Sequence, residues 1–233
     1  MLEIDKLHME RPFYGTRQMT NALNRQEINK DNPVNRKRIR RLMQKMGIIA
    51  VYPKPKTSIA NKEHKIYPYL LRDKVVLAPN EVWCTDITYI PMEQGFMYLI
   101  AIMDWYSRFV LSWEISNTME PDFCLSALND AVSRWGRAEI FNTDQGAQFT
   151  ANAFTGAVET ADMKMSMDGK GRWIDNRFIE RLWRSLKYED IYLKSYQDGL
   201  ELREGAGEWL DFYCYERPHS SLGRKTPWEA YQS

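Results

Sequence analysis

The sequence predicts an α/β protein: a mixed five-stranded sheet flanked by helices, with a small helical domain ahead of it. Three observations predict it. Apolar runs over 82–90, 96–104 and 109–115 are joined by short turn-forming links, Glu93-Gln94-Gly95 and Trp105 to Arg108, which imply antiparallel hairpins. Helix-like and strand-like segments then alternate, as in a mixed sheet covered by helices. Finally, the net charge of +1 hides an asymmetry: residues 1–72 carry 16 Lys/Arg against 6 Asp/Glu, and the remainder 16 against 25. A basic arm on an acidic body marks a polyanion-binding segment joined to a different module.

Residues 1–50 read as a helix-turn-helix domain. Thr16 is placed to cap a helix carrying Met19, Ala22 and Leu23 on one side and ending near Glu27-Ile28. Asn35 caps a second helix through Met46, with Ile39, Leu42, Met43 and Met46 as its apolar stripe and Gly47 as its stop. Its outer face holds Arg36, Lys37, Arg38, Arg40, Arg41 and Lys45, cations suited to the major groove or, more simply, to water. Residues 51–80 turn to Pro, Lys and Ser/Thr, as in Tyr52-Pro53-Lys54-Pro55-Lys56, the composition of an extended basic linker. Within it, Tyr67-Pro68-Tyr69-Leu70-Leu71 is apolar enough to dock on the core domain.

Residues 81–194 form that core domain. After the three strands, Pro121 starts a helix to about Trp135, and a strand ends at Asp144. A helix from about Asn152 to Ala161 and a strand over 164–167 come next. A loop with Gly169 and Gly171 then leads to a helix over 178–190. This order is ribonuclease H-like. Residues 195–233 read as a helical extension broken by Pro218 and Pro227.

Three carboxylates carry the chemistry. Asp86 sits inside the first strand, Asp144 ends the fourth, and Glu180 comes on a helix after 35 intervening residues. Carboxylates on two strands and a helix can converge to hold two divalent ions, about 3.5–4 Å apart, on either side of an in-line displacement at a phosphodiester. Asp86 is the natural bridge, because a strand holds it rigidly. Along the helix, Phe178, Leu182 and Leu186 form an apolar stripe, and Glu180, Arg184 and Lys187 lie at i, i+4 and i+7 on a separate face. Lys187 is placed to grip a phosphate; the bland alternative is a salt-bridged surface helix.

Other groups compete. Asp168 and Asp175 could replace Glu180 as ligand, although Asp175-Asn176 better suits a helix cap. Asp104 reads as a turn-stabilising residue beside Ser107-Arg108, and Glu189 as a surface charge. His219 has no nucleophile partner and reads as packing or capping. Trp83, Trp113 and Trp209 are expected in the core, and Trp173 is placed to stack on a base. Three scattered cysteines (Cys84, Cys124, Cys214) and three histidines offer no zinc-ligand spacing. Buried free thiols in a reducing cytoplasm are expected. The longest apolar run, residues 96–103, is too short for a bilayer, and no signal-peptide pattern opens the chain.

The motifs together resemble a known family. Trp83-x-x-Asp86-Ile87-Thr88-Tyr89, Asn142-Thr143-Asp144-Gln145-Gly146-x-Gln148-Phe149 and Asp175-Asn176-x-x-x-Glu180 with Lys187 seven residues on are similar to the catalytic core of retroviral integrases and insertion-sequence transposases, most of all OrfB-type transposases. Arg11-Pro12-x-Tyr14-Gly15 with Met46-Gly47-Ile48 resembles the family's N-terminal helix-turn-helix. Arg217-Pro218-His219-x-x-Leu222-Gly223 through Thr226-Pro227 resembles its C-terminal ending. Cys214 and Ala147 depart from the family's usual Asn and Ser. The resemblance implies a DDE (Asp-Asp-Glu) triad of Asp86, Asp144 and Glu180, with Mg²⁺ or Mn²⁺ as cofactor. It also implies contact of Lys187 with the element's end, cleavage at terminal inverted repeats, and strand transfer by a homo-multimer on DNA. A partner from the upstream (OrfA-type) frame is a further expectation. A ribonuclease H-like nuclease, or a DNA-binding regulator of transposition without catalysis, are the alternatives.

Overall fold

The computed structural model describes residues 1–26, 32–51, 65–169 and 176–233. Glu27-Ile28, the Pro-Lys run 52–56, Gly171, Trp173 and Asp175 lie outside the described residues. The chain divides into two compact units, Met1–Ile59 and Ala60–Ser233. Among the described residues no helix is long and apolar enough to cross a membrane.

The first unit holds three helices: α1 (Leu2–Glu10), α2 (Thr16–Arg25) and α3 (Arg36–Lys45). They bury Ile4, Met19, Leu23, Ile39 and Met43 together. Asn35 caps α3 by accepting from the Lys37 amide at 2.9 Å, and Gly47, at φ +66°, ends it. Thr16 does not cap α2. Gly15 holds the cap position without a side-chain bond, and Thr16 Oγ1 instead accepts from Arg36 Nε at 3.3 Å. Asn24 ties down the connection between α2 and α3, accepting from the Val34 amide and donating to its carbonyl. Arg36, Lys37, Arg38, Arg40 and Arg41 are all exposed on α3.

The second unit is built on a five-stranded sheet in the order β3-β2-β1-β4-β5. Strands β1 (Val82–Pro91), β2 (Phe96–Asp104) and β3 (Val110–Ser116) form an antiparallel meander. Strand β4 (Ile140–Thr143) runs parallel to β1, and β5 (Lys164–Met167) parallel to β4. Helices α4 (Asp122–Trp135) and α5 (Asn152–Thr160) make the crossovers that parallel pairing requires. The core gathers around fully buried β1 and β2 side chains and extends through α4, α6 and α8. All three cysteines are buried and free.

Residues read as linker partly belong to this body. Leu71 is buried with Val82 and Ile140. The Leu70 amide donates to Ser166 Oγ at 3.0 Å, and the Tyr67 hydroxyl to Glu159 at 2.6 Å.

The helix expected over 178–190 is not continuous. Helix α6 (Arg177–Leu186) passes into a wide π-helical turn, Lys187–Ile191, and then a single α turn, α7 (Tyr192–Lys194). Such a turn inserts one residue into the ladder. Here it accompanies the burial of Asp190, which accepts from the Tyr196 hydroxyl at 2.6 Å and from Lys194 Nζ at 2.8 Å. Pro227 was expected to break a helix but opens one. Helix α8 (Gly199–Asp211) ends in a second π turn, Phe212–Glu216, and α9 (Pro227–Tyr231) starts from a Thr226–Glu229 capping box. Proline suits that first position because its missing N–H has no partner there in any helix. Trp228 and Tyr231 of α9 pack on Phe109 and Trp135.

Asp104 is the turn-stabilising residue the sequence suggested. It is fully buried and accepts from the Asn80 amide (2.8 Å), the Ser107 amide (2.8 Å) and the Ser107 hydroxyl (2.6 Å). Asp104→Ala strands these donors and is expected to cost about 2–4 kcal/mol in urea unfolding, since each orphaned buried group carries its own desolvation penalty.

Candidate active site

The two aspartates are placed by strand register. In the parallel β1–β4 pair, Val82 faces Ile140, Trp83 faces Phe141 and Cys84 faces Asn142. Two residues past the last pair come Asp86, still on β1, and Asp144, the first residue beyond β4. Asp144 leaves the sheet into a turn where its Oδ1 accepts from the Gly146 amide at 2.8 Å. A side chain at 146 would not fit: its Cβ would stand 2.9 Å from Asp144 Oδ1 and 3.4 Å from the Phe149 ring.

A buried polar network fixes the end of β4. Asn142 donates to Asp168 Oδ1 at 2.9 Å and accepts from Ser166 Oγ at 2.8 Å. The Asp168 carbonyl in turn receives Gln145 Nε2 at 2.8 Å. Asp168, a rival ligand by sequence, is therefore buried in the scaffold beneath Asp144.

Glu180 arrives on α6. That helix buries Ile179, Leu182, Trp183 and Leu186, so the sheet-facing stripe runs through Ile179 and Trp183 as well as the expected Leu182 and Leu186, while Phe178 lies at its edge. Trp183 is the functional residue that sequence reasoning missed. Its indole N–H donates to Asp86 Oδ2 at 3.0 Å. The signal was present in principle, because a tryptophan on a buried stripe needs a partner for its N–H. Asn176 closes the N-terminal end of α6 on β1, donating to Thr85 O at 3.3 Å.

Electrostatics link the group. Burial first, then the charge of Asp144, with a smaller push from Glu180, raise the Asp86 carboxyl to about 7 against the pull of the Ile87 amide and the Trp183 indole. Asp144 is also raised, by partial desolvation, and lowered by its Gly146 bond. By surface area Asp144 is exposed, and that exposure governs: water at one face keeps it the first of the pair to ionise, so their repulsion falls on the deeper Asp86. Lys187, half-buried, has its ammonium lowered by burial and raised by Asp86, which places it within reach of the same carboxylate. Glu180 and Arg184 are exposed, and Arg184 lies over the Tyr188 ring.

The donor set suits a hard divalent cation, being carboxylate oxygen throughout. Asp86 carries charge repulsion that a cation would relieve. Among the described residues no group of three or more His, Cys, Asp or Glu side chains already stands at ligand spacing. Glu180, exposed on α6, does not stand at ligand spacing with the two aspartates.

Comparisons with known proteins fit this geometry. Family models of an integrase core domain match residues 77–172 and 161–227, and a model of an HTH-like domain matches residues 1–56. The transposase for insertion sequence element IS629 of Shigella sonnei is 30% identical over 98% of this chain and 77% of its own length. The chain belongs to the insertion-sequence transposases with an integrase core.

Two solved structures show the fold of this transposase. The intasome of simian T-cell lymphotropic virus, in complex with a PP2A regulatory subunit, matches with a TM-score of 0.61 and 18% identity over 99% of this chain and 74% of that one. The HTLV-2 integrase catalytic core in complex with magnesium matches with a TM-score of 0.54 and 23% identity over 66% and 98%.

A raised carboxyl makes a signed prediction about the transposase's stability. Unfolded, Asp86 ionises near the ordinary value of about 4; folded, it holds its proton to about 7. Stability therefore falls as pH rises through that interval and levels off above it. In chelator-treated buffer, Asp86→Asn should be more stable than the parent by about 1–3 kcal/mol near pH 8, with the gain vanishing near pH 4. Urea unfolding at both pH values checks this, and a gain independent of pH would contradict it. Trp183→Phe, which removes the hydrogen bond to Asp86, should move the transition to higher pH.

Proposed function

We propose that this transposase is a metal-dependent polynucleotidyl transferase that cuts 3′ ends at terminal inverted repeats and joins them to a target. Asp86, Asp144 and Glu180 are its catalytic triad and the residues that would hold two Mg²⁺ or Mn²⁺ ions. When bound, such ions supply charge stabilisation at the attacking and leaving oxygens of an in-line displacement. The observation that carries the reading is the parallel β1–β4 register that brings Asp86 and Asp144 together, with the charge of Glu180 also felt at Asp86. The magnesium complex of the HTLV-2 integrase core supports the choice of cation.

The protein's own groups have distinct tasks. Trp183 fixes one oxygen of Asp86, leaving the other to face the groove. The Gly146 amide aims Asp144. Lys187 neutralises a non-bridging phosphate oxygen near the scissile bond, and Arg184 holds a neighbouring phosphate. In cleavage, a water oxygen bonds to phosphorus as the bond to the 3′ oxygen breaks, and the water's proton leaves to solvent. In joining, that 3′ oxygen bonds to a target phosphorus as one target ester bond breaks. Cleavage hydrolyses one ester, and joining forms one for the one it breaks, the 3′ hydroxyl's proton passing to the departing target oxygen, so no external energy source enters.

The exposed cations of α3 (Arg36, Lys37, Arg38, Arg40, Arg41) are proposed to read the repeat from the major groove. Assembly as a homo-multimer on DNA is supported by the intasome likeness, and an upstream-frame partner is part of the proposal. Residues 1–50, 51–80, 81–194 and 195–233 are proposed as reader, tether, catalytic core and its helical extension.

A labelled terminal-repeat duplex incubated with target duplex and Mg²⁺ tests the proposal. Joined products are expected, and Asp144→Asn should lower both cutting and joining by at least about a thousandfold while duplex binding persists. Cutting without joining would favour a nuclease, and binding alone a regulator. Mg²⁺ or Mn²⁺ should also raise the melting temperature of the parent and not of Asp86→Asn.

A further inference from the structure

Helix α6 has a second polar flank that the catalytic reading does not use. Around the helix, Glu180 and Lys187 lie on one side of the buried stripe, while Arg181 and Ser185 lie on the other, with Arg177 and Arg184 across the crest. On that second side opens a cleft of about 560 Å³. Its walls bring together Arg177 and Arg181 from α6, Arg108 from the β2–β3 turn, and Arg217 and His219 from the C-terminal segment.

The charges in this cleft are largely unbalanced. Arg217 is answered by Glu189, at 2.7 and 3.1 Å. Arg108 has its guanidinium 3.2 Å from the centre of the Phe178 ring and makes one long bond, 3.4 Å, to Tyr106 O. Arg177 lies over the same ring at 4.8 Å. Among the described residues, Arg108, Arg177 and Arg181 make no salt bridge. The nearest candidate, Asp104, has its oxygens engaged by Asn80 and Ser107. Arg108 also holds a left-handed backbone, φ +65°, which a side chain adopts only at some cost. The same wall carries the Ser220 and Ser221 hydroxyls, with His219 behind them, its Nε2 buried and without a partner among the described residues.

Guanidinium groups without an acidic partner among the described residues, beside serine hydroxyls, are the chemistry of a phosphate site. We propose that this cleft is a second DNA contact, gripping a backbone phosphodiester on the flank of α6 opposite the carboxylates. The assignment to a polymer rests on the proposed function and on continuity: Arg181, Arg177, Arg184 and Lys187 form a cationic path over the helix.

The test uses the full chain. Arginine labelling with phenylglyoxal, read by mass spectrometry, should show Arg181 and Arg177 protected by duplex DNA and not by millimolar inorganic phosphate. In anisotropy titrations with the same duplex, Arg181→Gln should weaken binding severalfold and reduce the salt slope by about one phosphate contact. Arg134→Gln, on a surface pair with Asp130, should bind as the parent does. Because Arg181 is exposed, its loss leaves the core packing intact. Unchanged labelling of Arg181 with DNA bound, or an unchanged slope in Arg181→Gln, overturns the proposal, as does equal protection by free phosphate. A protein that shows the Arg181 effect yet neither cuts nor joins leaves this site standing and sinks the enzymatic reading alone.

Discussion

The parallel pairing of β1 with β4 is the constraint on which the rest depends. It brings together residues 58 positions apart in sequence, Asp86 midway along β1 and Asp144 just past the end of β4. Strand β1 also pairs antiparallel with β2 along its whole length, so Asp86 sits at the most firmly held point of the sheet. A one-residue slip between β1 and β4 would turn one carboxylate to the opposite face. On the other side of β4, the buried Asn142–Asp168–Ser166 network holds that strand to β5.

The arrangement is costly by itself. Two carboxylates are gathered where one of them is largely withdrawn from water, and the proton Asp86 retains toward neutral pH measures that cost. Such expense is common where a fold must present charge to a reacting group. The Trp183 indole offsets part of it while keeping α6 docked on β1. One tryptophan thus couples helix packing to carboxylate orientation.

Much of this was legible in the sequence, for physical reasons. The strands were readable because apolar runs bounded by short turns leave few alternatives, and β5 fell on 164–167 as expected. The three carboxylates proposed as the triad stand out in sequence by their distinct local settings, and the structure puts the charges of Asp144 and Glu180 near Asp86. Other features were hidden. The π turn after Leu186 depends on a buried Asp190 that looks like surface charge in sequence. Thr16 looked like a cap because threonine favours that position, yet the unit uses it to receive Arg36. Pro227 looked like a breaker, because position within the first turn decides proline's effect and sequence alone does not show where the turn begins. Trp183 was concealed among other apolar residues, and only its neighbour across the fold gives its N–H a role. The arginine cleft was invisible for the same reason, since Arg108, Arg181 and Arg217 are far apart in the chain.

The central claim, that Asp86, Asp144 and Glu180 jointly hold divalent ions, meets its most direct test in anomalous diffraction from crystals soaked in Mn²⁺. Peaks between the three side chains, with Glu180 drawn toward the aspartates, are the expected result. Manganese bound elsewhere, with Glu180 still turned to solvent, would contradict the account.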